Sequence, residues 1–250
     1  MSKPVTICFF AELNDFLLAH QRHRAFDCDI KKTRSVKDLI ESLGIPHVEV
    51  DLIVVNEESV DFSCQIHGGE QIRVYPVHSH PGIMPLLHNL PPPLPNPRFV
   101  LDVHLGRLAN FLRMLGFDTL YRNDYDDPTL ADISAAENRI LLSCDLKLLT
   151  RKQVEYGYFV RSRDPAEQII EVSRRYQLNE HPQTLDRCIN CNGTIQEVNK
   201  KDIQHQLLPL TRKHYQQFFQ CDHCKKIYWE GSHFEKMQAL IEAIRSSSAP

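Results

Sequence analysis

Four aspartates in the middle of the chain lie at or just beyond the ends of apolar segments, where they could bind a cation. They are Asp102, Asp127, Asp145 and Asp164. In the clearest cases, the short apolar runs 99–101 and 140–142 lead into Asp102 and Asp145. Such runs are typical of buried parallel strands, whose carboxyl ends meet along one edge of a sheet. Carboxylate oxygens are the ligands that Mg²⁺ prefers. The pattern therefore predicts a divalent-metal site, while a solvated loop residue or a helix N-cap is an equal alternative for any single aspartate.

Two CxxC pairs in the last third of the chain have the spacing of a structural metal site. Each pair, Cys188–Cys191 and Cys221–Cys224, can direct two thiolates at one tetrahedral ion. Four thiolates close the coordination sphere, so we expect a zinc ion with a role in folding and recognition rather than catalysis. Two independent redox or buried pairs are the alternative. The other cysteines lack such spacing: Cys8, Cys28, Cys64 and Cys144.

Basic and aromatic side chains surround the two CxxC pairs. The basic ones are Lys200, Lys201, Arg212, Lys213, Lys225 and Lys226, and the aromatic ones are Tyr215, Phe218, Phe219, Tyr228 and Trp229. This combination is typical of a platform for single-stranded nucleic acid, but a small zinc ribbon also needs aromatic residues for its core. We expect core positions for Phe218, Phe219 and Tyr228. Trp229 is left open between the two roles, and His233 could be a metal ligand, an RNA contact or the cap of a following helix.

The 250-residue chain is long enough for two or three compact units. It has 29 Lys and Arg against 32 Asp and Glu, so composition alone indicates no polybasic surface for nucleic acid. The first residues lack the apolar core of a signal peptide, and no apolar run approaches the length of about 18 residues that a membrane span needs. Eight cysteines without an export signal favour thiols or metal ligands over disulfides. We therefore expect a cytoplasmic protein with no membrane partner.

The pattern of residues 1–78 predicts a small α+β domain. Strand-like runs flank one helix, predicted over 35–44 with Ser35 as its N-cap and Gly44 as its stop. This order resembles the β-grasp fold and is closest to the ubiquitin-like sulfur carriers of thiamin and molybdopterin synthesis. Those carriers act through a free C-terminal Gly-Gly, which has no counterpart at the end of this domain, so sulfur transfer is not expected. Residues 79–97 are proline-rich and predict a semi-rigid linker, with a ligand for a proline-binding domain as the alternative.

Residues 98–180 alternate strand-like and helical patterns, which predicts an α/β domain with a parallel sheet and flanking helices. Asp127-Pro128 fits a helix N-cap followed by proline at the first helical position. Asp164-Pro165 repeats this arrangement before a helix predicted over 165–176. The remaining residues, 181–250, are predicted to form the zinc ribbon and a C-terminal helix.

The order of these segments resembles a known family. Residues 98–237 are similar to the PIN-like ribonuclease domain with an appended zinc ribbon that is named for the C-terminal region of the mut-seven exonucleases. The matching stretches are Phe99–Ala109, Leu112–Tyr121, Arg139–Asp145, Tyr158–Pro165, Arg187–Gly193 and Cys221–His233. A β-grasp domain that precedes this domain also resembles an architecture found in bacteria. The resemblance implies a PIN-like α/β fold and metal-dependent cleavage of RNA.

The resemblance also implies roles for the acidic residues. Asp102 corresponds to the acid after the first strand, and Asp145 to the acid of the family's usual Thr-Arg-Asp element, which here reads Ser143-Cys144-Asp145. Asp127 and Asp164 match the remaining acids. We expect Asp102, Asp145 and Asp164 to hold one or two Mg²⁺ or Mn²⁺ ions. Asp127 would complete the catalytic cluster or orient the attacking water.

Several other residues have implied roles around the acids. Asp124 is an alternate for one of the four positions. Arg107 and Arg113 match basic positions of the first helix, where they would bind substrate. Lys147 and Arg151 could neutralise the scissile and flanking phosphates in the same way.

The expected function is therefore that of a metal-dependent ribonuclease that hydrolyses phosphodiester bonds of single-stranded or structured RNA. The alternative is a non-catalytic adaptor that binds RNA or protein through the zinc ribbon and the β-grasp domain. In either case, the β-grasp domain could also have a protein partner of its own.

Overall fold

The computed structural model describes residues 3–79, 82, 84–181, 187–231 and 242 of the chain. Contacts divide it into two compact units. The first comprises Met1–Pro93 and Asp127–Phe159, and the second comprises Leu94–Asp126 and Val160–Pro250. The predicted C-terminal helix and His233 fall outside the described residues. Among the helices that are described, none is both long and apolar enough to cross a membrane.

The N-terminal part of the first unit is an α+β domain, as predicted. Its described elements are β1 (Val5–Phe9), β2 (Phe26–Cys28), β3 (Arg34–Ser35), α1 (Val36–Ser42), β4 (Leu52–Val55), β5 (Glu58–Val60), β6 (Gln65–Ile66) and β7 (Gln71–Tyr75). Five strands form one sheet in the order β2-β1-β7-β4-β5. β1 and β7 run parallel, and the other neighbours are antiparallel. A single helix beside a sheet of this kind confirms the expected β-grasp resemblance in architecture.

The one α-helix of this domain begins and ends where the sequence predicts. The hydroxyl of Ser35 accepts a hydrogen bond from the N–H of Asp38 at 3.1 Å, so Ser35 is the N-cap. Gly44 has φ of +89°. This left-handed conformation commonly ends a helix, and glycine adopts it without the steric strain that other residues have. Val36, Leu39 and Ile40 of α1 are buried and belong to the main core of the domain.

The strand β4 separates two apolar clusters because its side chains alternate between the two faces of the sheet. Ile53 and Val55 pack into the main core. Leu52 and Val54 lie on the opposite face with Tyr75, and there Leu86 of the proline-rich segment packs against them. The proline-rich segment therefore covers apolar surface of the sheet.

Residues 86–90, which we call the strap, are also tied to the domain by hydrogen bonds. His88 forms a bridge with Leu52, and its Nδ1 lies 2.7 Å from the carboxylate of Asp51. Asp51 is only 4% exposed, and its backbone carbonyl accepts the N–H of Asn89 at 2.7 Å. The strap therefore packs against the domain, which supplies partners for both its apolar and its polar groups, while the linker over 79–97 stays a prediction.

The α/β segment alternates strands and helices. Its elements are β8 (Phe99–Leu101), α2 (Gly106–Met114), β9 (Thr119–Tyr121), α3 (Asp127–Glu137), β10 (Ile140–Ser143), α4 (Leu146–Leu149), β11 (Gly157–Phe159) and α5 (Pro165–Tyr176). In the second unit β8 pairs with β9, and in the first unit β10 pairs with β11. Both pairs are parallel, and all four strands are short. β8 and β10 are buried throughout and β11 is mostly buried, whereas only Thr119 of β9 is buried. These findings confirm the predicted α/β class with parallel strands.

The C-terminal described part is a small antiparallel ribbon. Its elements are β12 (Ile195–Val198), α6 (Lys200–Ile203), α7 (Pro209–His214), β13 (Phe218–Cys221) and β14 (Ile227–Tyr228). The strands form a sheet in the order β12-β13-β14. The helices α6 and α7 lie in the long connection between the first two strands. Phe218 is fully buried, which confirms its predicted core position.

The strap offers a direct test through the side chain of Asn89. Its Nδ2 donates to the backbone carbonyls of Asp51 at 3.1 Å and Val60 at 3.2 Å. We expect Asn89→Ala to lower the free energy of unfolding by about 1–2 kcal/mol, because both carbonyls lose a donor. Urea denaturation of the full chain measures this change. Asn123→Ala, at an exposed position, is the matched control, and equal stability of the two variants would contradict the ordered strap.

Candidate metal sites

Asp145 lies at the junction between β10 and α4 and caps the helix. Its Oδ1 accepts the backbone N–H of Lys147 at 2.8 Å. Its own N–H donates to the hydroxyl of Ser143 at 2.8 Å. The side chain is exposed, and its Oδ2 accepts no hydrogen bond from any described residue. One carboxylate oxygen is thus fixed by the helix, and the other is available to a ligand.

Asp164 repeats this geometry before α5. Its N–H donates to the hydroxyl of Ser162 at 3.2 Å, and its Oδ1 accepts the N–H groups of Ala166 at 2.8 Å and Glu167 at 3.2 Å. Asp164 is exposed, and within the described chain its Oδ2 also accepts no hydrogen bond. Two separate strand-to-helix junctions therefore share a Ser-x-Asp design that presents a carboxylate to solvent.

The loop before Asp164 is held by a glutamate of the same helix. Glu171 of α5 accepts the backbone N–H groups of Arg161 at 2.9 Å and Ser162 at 3.1 Å. These bonds fix the two residues that lead into the Ser-x-Asp junction. Glu171 was not singled out from the sequence, because a glutamate in an amphipathic helix gives no signal of a loop contact.

Asp102 differs from the other two because it is buried. It follows β8 directly, is 5% exposed, and accepts the N–H of His104 at 2.8 Å. It thereby caps the 3-10 turn Val103–Leu105 that leads into α2. A buried carboxylate is costly without hydrogen bonds or a cation. Its position matches the predicted role of an acid at the end of the first strand of the α/β segment.

Two candidate acids near the start of α3 have different surroundings. Asp124 is exposed and forms two hydrogen bonds with the guanidinium of Arg122, at 2.8 and 2.6 Å, which lower its pKa. Asp127 is half-buried. It is the first residue of α3, whereas the sequence predicted it as the N-cap just before the helix. Asp124 therefore already has a cationic partner, which makes it the weaker candidate of the two.

The four predicted aspartates are distributed over both compact units. Asp127 and Asp145 belong to the first unit, and Asp102 and Asp164 belong to the second. Three of them, Asp102, Asp145 and Asp164, cap the turn or helix that follows a strand. Their assembly into one cation site stays a prediction.

The basic residues expected to contact substrate lie in different environments. Arg107 on α2 and Lys147 on α4 are exposed, and Arg151 after α4 is half-buried. Arg113 is 5% exposed, and its guanidinium donates to the backbone carbonyls of Thr119 at 3.0 Å and Ile189 at 2.9 Å. Arg113 therefore has a structural role between α2, β9 and the first CxxC turn, and the substrate contact that the family resemblance implied stays a prediction.

Within the described residues, the four cysteines bring their ligand atoms close enough together to share one metal ion. Their sulfurs all lie within 4.8 Å of one another. Two of the sulfur pairs, Cys188–Cys224 and Cys191–Cys221, are 3.5 Å apart. A tetrahedron with zinc–sulfur bonds of about 2.3 Å places its sulfurs roughly 3.8 Å apart. The donor set and the spacing thus both fit a closed tetrahedral ion.

Local backbone geometry brings the sulfurs together. In the first turn, the N–H of Asn192 donates to the carbonyl of Cys188 at 2.8 Å, and in the second, the N–H of Lys225 donates to the carbonyl of Cys221 at 3.2 Å. Gly193 follows the first pair, and a Cβ at this position would lie 2.9 Å from the sulfur of Cys221. Glycine is therefore required there by the close approach of the two turns.

The crowded thiols have strongly divergent acidities. Burial, with contributions from the neighbouring thiols, raises the pKa of Cys191 to about 12. Burial alone would also raise the pKa of Cys224, but the N–H of Lys226 and the three other thiols lower it to about 6. Four thiols this close cannot all ionise by themselves, and a bound cation is the usual means of holding them as thiolates.

Asn192 connects the first CxxC turn to β9. It has φ of +69°, and its Oδ1 accepts the N–H of Thr119 at 2.9 Å while its Nδ2 donates to the carboxylate of Asp118 at 2.7 Å. The partner on β9 is distant in sequence, so the spacing of the cysteines could not reveal the contact.

A comparable contact ties the N-terminal domain to β11 within the first unit. Glu49 is 2% exposed, and its Oε1 accepts the N–H of Phe159 at 2.6 Å. Nε2 of His47 donates to the carbonyl of Val154 at 2.9 Å. Neither residue was predicted to have a role, although an acid inside the apolar run 48–55 indicates a buried and partnered carboxylate.

The contrast between the two arginines of α2 is testable. We expect Arg113→Met to lower the free energy of unfolding by at least about 2 kcal/mol, because it leaves buried backbone carbonyls without donors. Arg107→Met removes the same group from an exposed position of the same helix and should change stability by less than about 0.5 kcal/mol. Urea denaturation of both variants measures the difference. Similar losses in both would contradict the structural role of Arg113.

Comparison with protein-family models identifies both parts of the chain. The model described as Mut7-C RNAse domain matches residues 97–241, and the model described as Mut7-C ubiquitin matches residues 2–81. Searches of curated proteins and of solved structures gave no match. The first match covers more than half of the chain and includes the α/β segment and the four cysteines. The chain therefore belongs to the Mut7-C RNAse domain family and carries a Mut7-C ubiquitin domain at its N-terminal end.

Proposed function

We propose that this protein is a ribonuclease that hydrolyses RNA phosphodiester bonds with the help of Mg²⁺ or Mn²⁺ held by its aspartates. The observation that carries the proposal is the match of residues 97–241 to a ribonuclease domain family. The Ser-x-Asp junctions support it, because Asp145 and Asp164 each present an exposed carboxylate oxygen that no described residue occupies. Hard divalent cations bind such oxygens.

The residues of the chain divide into cation ligands and phosphate contacts. Asp102, Asp145 and Asp164 would hold the cation, and Asp127 would complete the cluster or orient the attacking water. When bound, the cation would lower the pKa of that water and neutralise charge on the phosphate. The helix caps of Asp145 and Asp164 fix their carboxylates before substrate arrives, so little reorganisation accompanies binding.

Substrate phosphates would meet the basic residues that remain accessible. Arg107 and Lys147 are exposed and Arg151 is half-buried, so each can approach a phosphodiester. Arg113 is omitted from this group because its guanidinium is committed to backbone carbonyls. The substrate in this proposal is single-stranded or structured RNA.

We assign zinc to the four-cysteine site. Four thiolates leave no open coordination position, so the ion would stabilise the ribbon and take no part in phosphodiester cleavage. Arg113 of α2 donates a hydrogen bond to the first CxxC turn, and Asn192 of that turn accepts one from β9. Zinc would therefore stabilise the second unit beyond the ribbon itself.

A non-catalytic adaptor that binds RNA or protein is the second candidate. The observation that favours it is the sequence Ser143-Cys144-Asp145, which has an exposed cysteine where the family's usual element has arginine. An adaptor would bind RNA or protein through the ribbon and the ubiquitin-like domain without cleaving it. The geometry of Asp145 favours the nuclease, because this carboxylate keeps an oxygen for a cation.

The proposed cation site is tested by Asp145→Asn. We expect metal-dependent cleavage of labelled RNA to fall by at least about a hundredfold, because an amide is a poor ligand for Mg²⁺. The fold should persist, since the amide oxygen can still accept the N–H of Lys147. Gel assays with Mn²⁺, Mg²⁺ or EDTA measure cleavage.

Asp61→Asn is the matched control for this test. Asp61 is exposed, and its Oδ1 accepts the N–H of Ser63, two residues on, at 2.8 Å, as Asp145 does for Lys147. This variant should cleave like the unmodified protein. Equal activity of both variants would exclude Asp145 as a ligand, and tight RNA binding without any cleavage by the unmodified protein would favour the adaptor.

The zinc assignment is tested by the metal content of the purified chain. We expect about one zinc ion per chain, and almost none in Cys191→Ser, because a hydroxyl is a poor substitute for a thiolate ligand. Hydrogen exchange should accelerate across 187–231 in that variant, since metal binding free energy contributes to folding. Cys144→Ser makes the same chemical change at an exposed cysteine outside the two pairs and should keep its zinc. Full zinc occupancy in Cys191→Ser would contradict the assignment.

A further inference from the structure

The segment 199–215, within the connection between β12 and β13, is an exposed and basic part of the second unit. We call it the ribbon insert. It carries four basic side chains and one acidic one, Asp202, in a chain whose overall net charge is −3. The basic residues are Lys200, Lys201, Arg212 and Lys213. The sequence analysis noted these residues, but the predicted nuclease site does not use them.

Helix α7 of the ribbon insert makes no core of its own. None of its residues is buried. Leu208 and Leu210, at its start, are each 72% exposed. Arg212, Lys213 and His214 form its last turn and are exposed as well. The helix thus presents apolar and cationic side chains together to solvent.

An aromatic pair adjoins the basic end of this helix. Tyr215 follows His214 directly, and its ring centroid lies 6.3 Å from that of Trp229. Nζ of Lys200 donates to the backbone carbonyl of Tyr215 at 2.7 Å, which fixes this end of the insert. The aromatic pair and the basic turn are therefore one continuous surface.

Trp229 is the residue whose role the sequence left open. Its ring lies 6.5 Å from that of the buried Phe218, so one side of the indole contributes to the ribbon core. It nevertheless remains 36% exposed, whereas the hydroxyl of Tyr228 lies against the sulfur of Cys188 at 3.1 Å. Tyr228 thus contacts the cysteine cluster, whereas Trp229 keeps an exposed face on which a base could stack.

We propose that the ribbon insert and Trp229 form a binding surface for single-stranded RNA, with Arg212 and Lys213 on phosphates and Trp229 on a base. The proposal rests on the proposed function, since it names where that site's substrate is held. Cationic side chains next to an exposed indole match the two components of such a ligand, its phosphates and its unstacked bases. A duplex hides its bases, so it fits this surface less well.

The chain contains a single tryptophan, which makes the proposed contact directly observable. Unmodified full-length protein is titrated with a labelled single-stranded RNA of about 12 nucleotides, without added divalent cation so that no cleavage occurs. We expect saturable quenching of Trp229 fluorescence and a parallel rise in RNA anisotropy. A duplex of the same sequence should quench much less.

Charge reversal tests the phosphate contacts. Arg212→Glu with Lys213→Glu should weaken RNA binding at least about tenfold and reduce the slope of log affinity against log salt by roughly 1.4, or about 0.7 for each lost phosphate contact. Lys31→Glu with Lys32→Glu makes the same charge change at exposed positions of the N-terminal domain and should alter affinity less than about twofold. Zinc content and circular dichroism confirm that both variants fold.

The outcomes separate this inference from the proposed function. Quenching that depends on Arg212 and Lys213, in a protein that cleaves no RNA, supports the surface and refutes the nuclease. Cleavage that proceeds normally while neither quenching nor affinity responds to the insert variant supports the nuclease and overturns the surface. Equal loss of affinity in both charge-reversal variants would also overturn it, because it would show an effect of net charge alone.

Discussion

The short parallel strands of the α/β segment depend on side chains from other parts of the chain to satisfy their backbone groups. A buried N–H without an acceptor costs as much as a lost hydrogen bond, and strands of three residues have few partners of their own. In the first unit the carboxylate of Glu49 accepts the N–H of Phe159 in β11. In the second unit the side chain of Asn192 accepts the N–H of Thr119 in β9. The ubiquitin-like domain and the ribbon therefore complete the strands beside them, and neither is simply tethered to the nuclease segment.

The proposed cation ligands also make hydrogen bonds to the backbone. A helix N-cap was the competing interpretation of each aspartate, and Asp145 and Asp164 are indeed N-caps. The cap uses one oxygen in each and leaves the other to solvent. Capping and cation binding are thus compatible roles of one carboxylate, because the helix N–H groups fix its orientation and stabilise its negative charge. A capping aspartate at the end of a strand would thus offer a cation a carboxylate whose orientation is already fixed.

Local patterns in the sequence predicted most of the elements and the four-cysteine cluster, and long-range contacts account for what was missed. The helix over 165–176 has the bounds that Asp164-Pro165 predicted, and the four cysteines come together as their spacing required. The carbonyl contacts of Arg113 were not predicted, because an arginine in an amphipathic helix looks the same in sequence whether it faces phosphate or buried carbonyls. The strap was missed because a proline-rich composition specifies an extended chain but not the apolar face that it covers.

The metal site and the nuclease segment are joined by charge as well as by hydrogen bonds. A zinc ion with four thiolates carries a net charge of about −2, which a small domain must stabilise. Burial lowers the pKa of Arg113, while Cys191 and Cys188 favour its charged form, so the guanidinium provides a positive partner beside the first CxxC turn. The same guanidinium donates to Thr119 in β9 and belongs to α2, the helix that Asp102 and its turn introduce. A metal ion bound by the four cysteines would therefore help to order α2, the helix that follows the turn capped by Asp102.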